Sequence, residues 1–330
     1  MKKILLTTLL VFSTLVTLVP AENLKVVAAY GNKEKIFQEF TKETGIKVEF
    51  LDLSSGEVLS RIQAEGGKPS ADVWFGGGID SFIIARDKEL LEKYESKNNI
   101  EFISPEYRDK DGYWSGISLV LVGFMTNNEL LKEKKLPPPK TWEDLVNPIY
   151  KDEVIMANPA ISGTNYAMIN GLIQGMGEKN AWTYFKSLNG NVPFLAKRGG
   201  EPPKKVALGE LALAIIPMSG EFISMENKYP VTTTYPEDMI PWVPAGMAIF
   251  KNAKNLDEAK IFIDWALSKK GQEFIRDQDP RMMVRSDVEI PKSIKTLNKD
   301  KLIKIDIDAL GKDREKILKR WNDEFGSKAQ

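Results

Sequence analysis

Apolar and polar positions alternate in two rhythms along most of this chain. Leu24-Lys25-Val26-Val27-Ala28-Ala29-Tyr30 is an apolar run closed by Gly31-Asn32, the pattern of a buried strand. Residues 33–44 then carry Ile36, Phe37 and Phe40 on one helical face, and Gly45 is the stop. Ile46 to Leu53 alternates as a second strand, residues 55–65 read as a second helix, Ala71-Asp72-Val73-Trp74-Phe75 as a third strand and Asp80 to Leu91 as a third helix. Strand and helix succeeding each other at this pace predict βα units on a mostly parallel sheet.

A long apolar strand, Gly116 to Thr126, follows a polar stretch. After the Pro137-Pro138-Pro139 elbow, a helix is expected from Thr141, and a second βα series then begins. Its elements are a strand at Glu153 to Ala157, helices at Thr164 to Met176 and Lys179 to Leu188, and a strand at Leu211 to Ile216. Gly246 to Phe250 reads as a strand, Leu256 to Gln278 as one long helix or two, and Asp313 to Phe325 as an amphipathic tail. Two βα series without a linker predict two lobes, the chain crossing near 116–126 and returning near 240–250. The expected division is residues 22–118 with 246–330 in one lobe and 119–245 in the other. Ligands of open α/β sheets bind beyond the carboxyl ends of the strands, so the cleft between the lobes is the expected site.

Residues 1–21 have the pattern of a secretory signal: Lys2 and Lys3, an apolar run from Leu5 to Val19, then Val19-Pro20-Ala21. The run is short for a membrane span, which needs roughly 20 apolar residues. The expected location is the periplasm, and with no cysteine in the chain a lipoprotein tether is excluded. The whole chain balances 46 basic against 46 acidic residues; loss of the leader leaves a net charge of −2. No basic excess points to nucleic acid. The absence of His and Cys excludes Ser-His-Asp and Cys-His catalysis and the usual zinc sites. An exported hydrolase working through a carboxylate pair is the remaining enzymatic reading, and no such pair stands out; the protein is expected not to be an enzyme.

Small polar residues gather at four junctions. Ser54-Ser55-Gly56-Glu57 fits a capping box, with N–H groups open to an anion. Gly76-Gly77-Gly78 permits close approach to the backbone. Ser162-Gly163-Thr164 opens an apolar helix after a strand, which suits a phosphate or carboxylate. Arg198, beside Gly199-Gly200, has the fork to grip an anion. Tyr30, Ser219, Glu221, Tyr235 and Asp238 lie at strand ends or next to the second crossing and are further candidates.

Together these segments resemble the substrate-binding proteins of bacterial ABC importers, in the branch that takes ferric iron, phosphonates and phosphorylated sugars. The resemblance rests on Val27-Ala28-Ala29-Tyr30, Ser54-Ser55-Gly56-Glu57, Ala71 to Gly77, Met156 to Ala160 with Ser162-Gly163-Thr164, Gly246 to Ile249, and Asp264 to Ser268 with Gly271-Gln272. It covers essentially the whole chain after the leader. It implies a type II two-lobed periplasmic-binding fold, mostly parallel sheets joined by two crossing strands, and a monomer that closes on a solute and delivers it to an inner-membrane permease, without a cofactor. The expected ligand set is Tyr30, Ser54, Ser55, Gly56, Gly77, Gly78, Ser162, Gly163, Thr164, Arg198, Ser219, Glu221 and Asp238. The expected solute is a small anion, with hexose phosphate as the specific case. The resemblance also implies a rival cargo, ferric iron, held by Tyr30 and Tyr235. Iron-binding members use adjacent tyrosines, often with a histidine, and this chain has neither a Tyr-Tyr pair nor a His. Where sugar-phosphate members place a His-Asp pair, this chain has Ser219-Gly220-Glu221.

Overall fold

The computed structural model describes residues 23–97, 99–294 and 297–329. The leader expected at 1–21 lies outside the described residues. In chain order the strands are β1 (Leu24–Ala29), β2 (Val48–Asp52), β3 (Val73–Gly78), β4 (Leu91–Glu92), β5 (Ser115–Asn127), β6 (Val154–Ala157), β7 (Leu195–Ala196), β8 (Leu213–Met218), β9 (Val231–Thr234), β10 (Trp242–Phe250) and β11 (Met282–Met283).

Their main order is β2-β1-β3-β10-β5-β8-β6-β7. β1 pairs in parallel with β2 and β3, and β6 pairs in parallel with β7 and β8. Between these parallel groups run the antiparallel strands β5 and β10. Ser115 to Leu121 of β5 pairs with β10, while Leu121 to Thr126 pairs with β8. All thirteen residues of β5 are buried, because it passes through both halves of the molecule. This is the two-lobed mixed α/β architecture with two crossing strands.

The local rules that predicted the elements also explain their ends. The helix Lys33–Thr44 buries Ile36, Phe37 and Phe40, and Gly45, at φ 77°, donates its N–H to Thr41 O. The helix Ser55–Ala64 starts at a capping box between Ser54 and Glu57. The region Leu256 to Gln278 is two helices, Leu256–Leu267 and Lys269–Gln278. Ser268 takes an extended conformation between them, and its Oγ accepts from Gly271 N at 3.0 Å, restarting the chain as a cap. The helix expected from Thr141 is only a 3-10 turn, Glu143–Val146. There the Asp144 carboxylate accepts from the N–H groups of Lys140 and Thr141 at 2.8 and 2.9 Å, and Pro148 follows.

Helices cover both parallel groups. In the first, Phe37, Phe40, Phe75, Phe262 and Trp265 form an aromatic cluster with ring centroids 5.0–6.2 Å apart. In the second, Trp182 and Phe185 pack on Trp321 and Phe325 of the C-terminal helix Arg314–Phe325. The tail therefore does not stay with the first lobe as expected. Gly311 packs on Ile83 there, whereas the aromatic face from Trp321 on is buried against the other lobe. An amphipathic face states that it needs burial, not which lobe supplies the partner.

Phe262 is fully buried at the centre of the first cluster. Replacing it, Phe262→Ala, is expected to cost about 3–5 kcal/mol of unfolding free energy in a urea titration.

Candidate functional site

Two trios of parallel strands, running in opposite directions, end on one cleft of about 600 Å³. Tyr30, Gly31 and Asn32 follow β1; Leu53, Ser54 and Ser55 follow β2; Gly77 and Gly78 end β3. From the opposite lobe come Ser162, Gly163 and Thr164 after β6, Arg198 to Glu201 after β7, and Glu221 and Phe222 after β8. At each end the ladder stops supplying partners, and the freed N–H groups and side chains face the gap.

The helix Gly163–Met176 begins at the edge of this cleft and is buried along most of its length. Ser162 caps it, its Oγ accepting from Asn165 N at 3.3 Å. The N–H groups of Gly163 and Thr164 and the Thr164 hydroxyl have no partner among the described residues. Ser55 brings its Oγ between this turn and Gly77, so close that a Cβ at Gly77 would overlap it. Gly77 sits at φ 89°, a conformation that side chains disfavour.

Three of the four cations that line the cleft have carboxylate partners, and Lys204 has no ion pair among the described residues. The lining contains Lys33, Arg198, Lys204 and Arg281 against Glu34, Asp52, Glu201 and Glu221, a balanced set. Lys33 pairs with Asp52 at 3.2 Å, and Arg281 pairs with Asp279 at 2.6 Å. Arg198 reaches across to the other lobe and binds Glu57 Oε1 at 2.9 Å. Glu57 closes the capping box with its other oxygen, accepting from Ser54 N at 2.8 Å. Arg281 is only 8% exposed, with its guanidinium 4.5 Å from the Tyr30 ring centroid. Burial, opposed by Arg281, pushes the Tyr30 hydroxyl up to about 12, and this hydroxyl is hydrogen-bonded to Ser118 at 2.9 Å.

Ten of the thirteen expected ligand residues line the cleft: Tyr30, Ser54, Ser55, Gly77, Gly78, Ser162, Gly163, Thr164, Arg198 and Glu221. Three are elsewhere. Gly56 is packed against Ala160 and Ile161 of the opposite lobe, its N–H donating to Ile161 O at 3.3 Å. Ser219 is buried at the start of the short helix Gly220–Ile223. Asp238 accepts from Trp142 N at 3.1 Å, so it orders the 3-10 turn of the second lobe. Tyr235, the second expected tyrosine for iron, also lies outside the cleft lining. Sequence reasoning missed Arg281, Asp279, Lys33, Asp52 and Lys204. The one available signal for Arg281 was a charged Asp-Pro-Arg run between a helix end and the apolar Met282-Met283-Val284.

A profile of the bacterial extracellular solute-binding protein family matches residues 69–305. This chain is a bacterial extracellular solute-binding protein. The binding protein is 32% identical over 297 residues to a Haemophilus influenzae protein, covering 87% of this chain and 86% of the relative. It is similar to the periplasmic binding protein AfuA from Actinobacillus pleuropneumoniae, whose structure holds exogenous fructose-6-phosphate. The TM-score is 0.85 and the identity 31%, over 92% of this chain and 98% of that one. It is also 25% identical to the Fe(3+)-binding periplasmic protein of Serratia marcescens, over 81% of this chain and 83% of the relative. Members of the family bind solutes outside the cytoplasm for ABC importers and are binding proteins, not enzymes. Among the described residues no helix is long and apolar enough to cross a membrane.

The seam beside the cleft yields a test. A Cβ on Gly56 would overlap Ala160 O of the facing lobe. Because that contact is with backbone, Gly56→Ala is expected to lower the unfolding free energy by about 1–3 kcal/mol in a urea titration. The same change should hold the lobes apart, giving a more extended X-ray scattering profile than the parent protein.

Proposed function

We propose that this binding protein captures a small phosphorylated solute, with hexose phosphate as the specific candidate, and that lobe closure buries it for delivery to an ABC permease. The observation that carries this reading is the free N–H pair of Gly163 and Thr164. It stands at the start of a buried fourteen-residue helix, with the Thr164 and Ser55 hydroxyls in the same cleft. Such a turn stabilises an anion through N–H donation and the helix dipole, without a net positive cleft. The ion pairs of Lys33, Arg198 and Arg281 are consistent with this division of labour, and Lys204 is the lining cation left to add charge. In this reading Arg281 would donate to, and Glu221 accept from, solute hydroxyls, since both line the cleft. The likeness to AfuA with bound fructose-6-phosphate supports the same class of solute.

Ferric iron is less well supported, although a Serratia marcescens relative is named for it. Tyr30 would have to lose a proton that burial holds up to about 12, and Tyr235 lies outside the cleft. Among the described residues no group of three or more acidic side chains is placed to hold a metal.

The test is thermal unfolding of the ligand-stripped mature protein with glucose 6-phosphate, glucose, inorganic phosphate or ferric citrate. A sugar phosphate at about 100 times its dissociation constant should stabilise the protein by roughly 2.7 kcal/mol, with glucose giving no shift. Thr164→Ala should weaken glucose 6-phosphate binding by about tenfold, the worth of one hydrogen bond to a charged group. Stabilisation by ferric citrate alone would overturn the reading.

A further inference from the structure

Beyond the cleft, the C-terminal segment touches both lobes at one point. The helix Ile307–Lys312 lies on the helix Asp80–Asp87 of the first lobe, with Gly311 so close to Ile83 that a Cβ would overlap it. The next helix, Arg314–Phe325, buries Trp321 and Phe325 against Phe185 and Trp182 of the second lobe. Arg314 stands at the joint between them. Its Nε donates to Asp80 Oδ2 at 2.8 Å, in the first lobe, and its Nη2 donates to Ala160 O at 3.2 Å, in the second. The Tyr166 hydroxyl of the second lobe donates to Leu310 O at 2.6 Å, and the Arg314 guanidinium lies 5.4 Å from the Tyr166 ring.

This joint backs directly onto the cleft. Asp80 is 0% exposed, and a Cβ on Gly78 would lie 2.6 Å from its Oδ1. Gly78 in turn is next to Gly163: a Cβ on Gly163 would lie 3.2 Å from Gly78 N. Gly78 and Gly163 line the cleft from opposite lobes. Without a cation, Asp80 would be a buried, unpaired carboxylate at the line where the lobes meet, and separating the lobes would rehydrate it.

We propose that Arg314 is a positioning residue in a C-terminal clasp, holding Asp80 and Ala160 in the arrangement that joins the Gly78 and Gly163 edges and so setting how long a solute stays bound. The clasp does not depend on which solute the cleft takes. Its first readout therefore needs none. The chain has no cysteine, so Lys42→Cys and Lys186→Cys place two spin labels, one on each lobe, at exposed positions. Pulsed electron paramagnetic resonance then measures the distance between lobes in ligand-free protein. The parent protein should populate a short and a long distance, and Arg314→Met should lose the short one. The double variant Asp80→Asn with Arg314→Met removes the charge that needs hydration and should recover part of the short population. Arg314→Lys, which keeps the charge but loses the planar fork that lets separate nitrogens reach Asp80 and Ala160, should fall between and covers the case in which the methionine variant does not fold. With glucose 6-phosphate as probe, Arg314→Met should speed dissociation about tenfold with the association rate within twofold of the parent. A ligand-free parent at the long distance alone, or distance distributions unchanged in Arg314→Met and Arg314→Lys, would overturn the proposal. A missing response to glucose 6-phosphate with the expected distances would count against the hexose phosphate reading and leave the clasp standing.

Discussion

Two strands, β5 and β10, hydrogen-bond to each other at the middle of the molecule and to a different partner at each side, and the rest of the architecture hangs from this shared ladder. Trp242 stands opposite Leu121, the residue at which β5 passes from β10 to β8. Because one strand serves both sheets, the lobes cannot separate without bending it, and they cannot slide past each other without breaking register. The parallel strands on each side run so that their carboxyl ends face the same gap. The cleft follows from this arrangement: each strand ends there, and its last N–H groups have no further ladder to join.

The cleft handles charge sparingly. Arg281, Lys33 and Arg198 each have a carboxylate partner of their own. A buried cation needs that compensation when the site is empty, because desolvating an unpaired charge costs several kcal/mol. Backbone N–H groups at a helix start carry no such requirement. They are dipoles already fixed by the fold, so they can wait for an anion at little cost. Selectivity can then come from the shape of the donor array and from the paired side chains around it. Arg198 illustrates the difference between type and place. Its guanidinium suits an anion, yet its partner is Glu57 of the facing lobe, which makes it a bridge over the cleft.

Glycine sets how near the lobes can come. Gly56 against Ala160 and Ile161, and Gly78 against Gly163, are contacts of backbone on backbone. Any side chain at these points would act as a spacer. The glycines of these motifs thus do two jobs, exposing N–H groups at Gly163 and permitting contact at Gly56. Only one of those two jobs is visible from local pattern.

Periodicity and punctuation alone determined the βα units, the capping box at Ser54 and Glu57, the helix stop at Gly45, the long buried β5 and the junctions that supply ten residues to the cleft. These depend on neighbours within a few positions, where helix and strand geometry dictate which residues share a face. The lack of His and Cys likewise settled, without coordinates, which chemistries the chain cannot perform. Other features depend on residues far apart in the chain, and only the tertiary structure decided them. Asp238 precedes a crossing strand, where a ligand residue is expected, but its carboxylate accepts from Trp142 N, 96 residues away. Arg281 entered the cleft because Asp279 fixes it beside Tyr30, an arrangement made by a lobe that is continuous in space and not in sequence. The tail showed an apolar face from Ile317 to Phe325, yet its partners Trp182 and Phe185 could be chosen only once both lobes were in place. Local pattern records what a segment must bury or cap; which distant surface meets it is set by the closure of the whole chain.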